Sequence, residues 1–172
     1  LHSTDFLQAC TVLHTYHLRR QAAEAGREGR ELPAVSCSRE SLLALPLTSY
    51  KRFADDLENA FHEVGKFLNP QKIIWHKDVP DPPQSVALAG AYTLLGRQAQ
   101  SAAAQKKLER WFWSGVLGEL YGSATETRIA RDVPELVRWI GEDGPEPSTV
   151  RDSIFQEERL DSLRIRISAA YK

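Results

Sequence analysis

The stretch from Leu108 to Ile140, LERWFWSGVLGELYGSATETRIARDVPELVRWI, constrains the fold more than any other part of the chain. It holds three of the four tryptophans. Leu108, Trp111, Phe112 and Gly115 recur at the spacing of one helical face, and Trp113, Val116, Leu117 and Leu120 form a second. A helix that is apolar on nearly every side must be surrounded by other elements. The segment therefore predicts a central helix from Ala102 to Tyr121, opened by Ser101, with the remaining helices packed around it. Gly115 and Gly118 weaken a helix, which places them where a neighbour comes close. Tyr121-Gly122 ends the helix, and Ser123 to Glu126 has the pattern of a capping box for the next. Asp132-Val-Pro-Glu135 reads as a further N-cap with proline in the first turn, starting a helix that Gly141 closes.

The rest of the chain also reads as helical. Ser3 caps a first helix to Ala25, with Phe6, Ala9, Cys10, Leu13, Tyr16 and His17 on one face. Ser38 opens a short helix that stops near Pro46. Thr48 or Ser49 caps a long amphipathic helix with Tyr50, Phe53, Leu57, Ala60, Phe61, Val64 and Leu68 inward, ended by Asn69-Pro70. Asp78 to Pro83 is a stiff connector because each proline restricts itself and its predecessor. Ser85 to Arg97 is a small apolar helix. Gly144 to Pro147 is a linker. In the tail, Leu163 to Ile167 alternates like a strand, but Leu160, Leu163 and Ile167 also fit a helix, and no second strand is at hand to pair with it. The expected architecture is all-α: an irregular bundle of about seven helices forming one domain over residues 1–172, with residues 148–172 as a candidate appendage. A first residue of Leu, and Ser168 placed to cap a helix one turn before the last residue, read as a piece of a longer protein.

The 172 residues suffice to bury a core. A hydrophobic share of 42% and a charged share of 26% are ordinary for a globular protein. No apolar run approaches the roughly 18 residues of a membrane span, and no signal peptide is visible, so no membrane role is expected. Cys10 and Cys37 read as free thiols of a reducing cytoplasm. A net charge of -1 is not the footprint of a dedicated nucleic-acid binder, so any DNA contact has to come from a local patch.

Trp111-Phe-Trp113, then Leu120-Tyr-Gly-Ser-x-Thr-Glu-Thr127, then Ala130-Arg-Asp-Val-Pro134 resemble the middle of the bacterial family of GmrSD modification-dependent restriction endonucleases. Ser3 to Ala9 and Ala34 to Leu43 fit the same family upstream, and Val150 to Phe155 and Arg159 to Lys172 fit it downstream, so the resemblance spans most of the chain. It brings no catalytic residue. The family's Asp-Gly-Gln-Gln-Arg string and its His-based metal-dependent nuclease motif have no counterpart here. What the resemblance implies is a non-catalytic helical scaffold connecting a nucleotide-hydrolysing or sensing domain to a nuclease domain in a phage-defence protein that cuts modified DNA. Its partners would be those flanking domains, with DNA as a further candidate, and the segment would need no cofactor of its own. The alternative is a protein-interaction or dimerisation module with no DNA role.

Four groupings could carry chemistry. Cys10, His14 and His17 share one helical face at a spacing that could offer three ligands to zinc, though packing with Leu13 and Phe6 explains them as well. His76-Lys-Asp-Val-Pro80 resembles some nuclease motifs only superficially. Lys106, Lys107 and Arg110, with Arg164 and Arg166 in the tail, are the candidate phosphate contacts; Arg19, Arg20, Arg27, Arg30 and Arg159 are further basic positions. The plain reading is a solvated surface balanced by nearby acids such as Glu109, Glu157, Glu158 and Asp161. Trp111, Phe112, Trp113, Tyr121 and Trp139 could stack a flipped base, but most belong to a core. No Gly-x-Ser-x-Gly or Gly-rich phosphate loop occurs.

Overall fold

The computed structural model describes residues 3–154. Among them are seven α-helices and no strand. In chain order these are α1 (Ser3–Glu24), α2 (Arg39–Leu43), α3 (Leu47–Leu68), α4 (Pro82–Leu95), α5 (Ala102–Leu117), α6 (Thr125–Gly141) and α7 (Ser148–Arg151). The fold is all-α. Arg159, Arg164, Arg166 and the Leu160 to Ile167 pattern lie outside the described residues.

The middle of the bundle is α4, packed against α1, α3 and α6. This corrects the expectation that α5 sits there. Seven consecutive residues of α4, Val86 to Tyr92, are buried. Four of those seven are Ala or Gly, and small side chains are what let several helices approach one axis. A Cβ on Gly90 would lie 3.1 Å from Val133 of α6 and 3.6 Å from Val12 of α1. The prolines expected to form a connector instead supply the first turn of α4, where a missing N–H costs nothing.

Around that axis α5 is a flank helix. Leu108, Trp111, Phe112 and Val116 are fully buried, while Lys106, Glu109 and Arg110 face solvent. Ser101 caps it as expected, accepting from the Ala104 amide. Gly115 is a close approach: a Cβ there would sit 2.2 Å from Nε2 of Gln84, the buried α4 residue that donates to the Phe112 carbonyl. The long α3 turns Phe53, Leu57, Ala60, Val64, Phe67 and Leu68 inward, a clean amphipathic stripe. It starts directly after Pro46, two or three residues before the expected Thr48 or Ser49 caps. Ser38 caps α2 through the Ser41 amide.

Two more expectations fail in the same place. Ala124, in the left-handed region with φ 51°, precedes α6, and no side chain caps the helix; the capping box at Ser123 does not form. Nor does Asp132 start a helix. α6 runs unbroken through it, with Pro134 inside. Ile129, Asp132, Val133, Leu136 and Trp139 form the inward stripe of α6, so Asp132 occupies a core position.

Candidate functional site

Asp132 is fully buried and holds together three elements. One carboxylate oxygen accepts from Trp111 Nε1 of α5 at 3.0 Å and from the Tyr121 hydroxyl of the following turn. The Thr149 hydroxyl of α7 lies 2.8 Å from both oxygens, and Arg128 donates to that hydroxyl. Burial disfavours the charged carboxylate and pushes its pKa up to about 6, although all three donors and Arg128 pull the other way. Burial and the same carboxylate push the Tyr121 phenol well above its ordinary value. The cluster is closed to solvent, so it is a structural tie and not a reaction centre. One signal in the sequence could have revealed it: a lone acid at Asp132 in register with Ile129, Val133, Leu136 and Trp139.

The expected phosphate contacts on α5 are mostly engaged. Lys107 donates to the Trp139 carbonyl at 2.7 Å and to Asp143 at 3.1 Å, with its ammonium 5.3 Å from the centroid of the Trp139 ring. Arg110 makes a forked contact with Glu146, at 2.5 and 3.2 Å. Lys106 is exposed. The aromatic group is mainly core: Trp111, Phe112, Tyr121 and Trp139 are buried and only Trp113 is partly open, so the first four offer no stacking surface.

His14 and His17 turn toward α3. His14 Nδ1 lies 3.0 Å from the Ser49 hydroxyl, and the Arg52 guanidinium donates to His17 Nε2 at 2.8 Å. That donor requires a neutral His17; burial first and Arg52 second lower its pKa. Cys10 is buried, which raises its thiol pKa to about 11 and keeps it protonated. Among the described residues no group of three His, Cys, Asp or Glu side chains could hold a metal ion. No described helix is long and apolar enough to cross a membrane.

The surface concavities among the described residues include two of interest. The first, about 420 Å³, is apolar and lies at the end of α3, where Phe61, Val64, Leu68, Ile73 and Val79 line it and His76 stands at its edge. Beside it Ile74 and Trp75 are 65% and 66% exposed. The second, about 710 Å³, is a groove between α1 and α6 with arginines and glutamates in its lining. Tyr16, Arg19, Arg20 and Ala23 form its α1 wall, at the spacing of one helical face. Thr127, Ala130, Arg131, Pro134 and Arg138 form its α6 wall in the same way. The extended segment from Leu32 to Ser38 is the third wall. It is pinned on both sides: Thr15 Oγ1 donates to the Ser36 carbonyl and accepts from the Ser36 amide, Arg19 donates to the Pro33 carbonyl, and Cys37 Sγ donates to the Glu126 carbonyl. Sequence periodicity gave no hint that these faces would meet.

No family model, no curated protein and no solved structure matches the chain. What can be said of its class comes from the fold and the geometry: an all-α bundle with a buried carboxylate tie and an arginine-lined groove.

Proposed function

We propose that the chain is a helical scaffold within a GmrSD-like restriction endonuclease, joining a sensing or nucleotide-hydrolysing domain to a nuclease domain without performing the chemistry. One observation supports this reading. Three of the strings that carry the resemblance meet at a single buried point, next to the start of a fourth. Trp111 comes from the first, Tyr121 from the second and Asp132 from the third, while Thr149 immediately precedes the fourth. Side chains that bond one another inside the protein serve rigidity, and a rigid body is what fixes the relative position of two flanking domains. The cations of α5 are compatible with it, since Lys107 and Arg110 are held by the Trp139–Glu146 stretch and are poorly placed to serve phosphates.

The test is a titration with short duplexes, plain and carrying modified cytosines, at low and moderate salt, followed by incubation with a divalent cation. The scaffold reading expects at most weak, salt-sensitive binding, no preference for the modified duplex and no cleavage. A preference for modified duplex would make the segment part of the sensor, and cleavage would make it the nuclease; either overturns the reading. A second reading, an interaction or dimerisation module, is favoured by Ile74 and Trp75 standing exposed beside an apolar groove. Light scattering that finds a tight dimer, lost in Trp75→Ala, would support it.

A further inference from the structure

We propose that the groove between α1 and α6 is a binding site for a small molecule carrying an oligophosphate group. Its volume, about 710 Å³, falls in the range of small-ligand sites, roughly 300–1,000 Å³. Space exists there because Ala23, Ala130 and Pro134 are small where two helices face each other. The site is preorganised, since the Leu32 to Ser38 wall is held by hydrogen bonds from α1 and to α6.

Cations outnumber acids in the lining by four to three. Arg19, Arg20, Arg131 and Arg138 line the groove together with Glu126, Glu135 and Glu142. Not all of these are equally available. Glu135 is turned away, its Oε2 accepting from the Ser148 amide at 2.6 Å and the Ser148 hydroxyl at 2.8 Å. Arg19 is held by Pro33 and Arg20 by Glu24. Arg131 and Arg138 are exposed, and among the described residues neither has an ion-pair partner. Seven residues apart on one helix, they stand about 10 Å from each other along the axis. Two free guanidinium forks at that separation suit a ligand with anionic oxygens spread along its length. The Tyr16 side chain, half-buried between Arg20, Arg138 and Glu142, offers a hydroxyl at the Arg138 end of the groove.

A nucleic-acid backbone fits less well. Its charge continues beyond any 10 Å segment, so two guanidinium forks at that separation would meet only a small part of it. The proposal is independent of the scaffold reading and neither needs nor implies catalysis.

Calorimetric titration of the whole chain with inorganic tripolyphosphate at low salt tests it, with a short DNA duplex titrated in parallel. Arg131→Gln and Arg138→Gln lie on the surface and should leave the thermal melt unchanged. Each is expected to weaken tripolyphosphate binding about tenfold or more, since a forked charge-assisted contact is lost. Arg110→Gln, which removes an arginine from another helix, should leave it unchanged. The proposal is overturned if tripolyphosphate does not bind, if all three variants bind equally, or if the duplex binds more tightly than tripolyphosphate through the same arginines.

Discussion

Helices α4 and α5 are both apolar, yet they hold the protein together in opposite ways. α4 occupies the axis with Ala, Gly and a few larger residues, and its contribution is how little room it takes. α5 stands at the flank and reaches inward with Trp111 and Phe112, so its contribution is how much surface it buries. The comparison teaches that aromatic content does not locate the centre of a helical bundle. Large side chains can bridge to the core from outside, whereas only small ones let three neighbours close around a helix.

Substitutions that remove volume should therefore hurt α5 most, and substitutions that add volume should hurt α4. Phe112→Ala removes a fully buried ring that packs edge-on against Phe67 of α3. It is expected to lower unfolding stability by about 3–5 kcal/mol in urea denaturation. Gly90→Leu, on α4, has to displace Val133 and Val12, and a loss of about 3 kcal/mol is expected in the same measurement. A Gly90→Leu protein as stable as wild type would show that α4 is not closely surrounded. Thr149→Val sharpens the contrast from the polar side. It keeps the shape but removes a donor to Asp132, at an expected cost of about 2 kcal/mol. Arg110→Ala breaks only a solvent-facing contact with Glu146, and its thermal melt should lie within about 0.5 kcal/mol of wild type.

Much of this fold is legible in the sequence where periodicity alone decides. The α3 stripe, the Ser38 and Ser101 caps and the tight spot at Gly115 all follow from local patterns. The errors share a cause. Asp132-Val-Pro has the grammar of a helix start, but Trp111, Tyr121 and Thr149 supply the donors that let a carboxylate sit mid-helix in the core. Those partners are local to Asp132 only after folding. α4 went unrecognised as the axis because a run of small residues has weak amphipathic contrast. Of the candidate sites, Lys106, Lys107 and Arg110 were identifiable as charges, but not the acids that hold two of them. The α1–α6 groove needed the tertiary pairing of two faces distant in the chain.

The account rests most heavily on Asp132 as a buried tie whose charge is costly to keep. Its folded pKa is raised from 3.8 to about 6. A raised carboxyl pKa contributes stability that is complete below the unfolded value and lost as pH rises through the folded one. His14 and His17, with lowered pKa values, contribute in the opposite direction near neutral pH, so the wild-type curve alone is a mixture. The direct measurement is unfolding free energy against pH for wild type and Asp132→Asn, taken as a difference in which both histidines cancel. The difference should fall by about 2 kcal/mol, in wild type's disfavour, between pH 4 and pH 7. A difference that stays flat, or rises with pH, would contradict the account, because it would mean the donors outweigh burial and the carboxylate is at ease in its charged form.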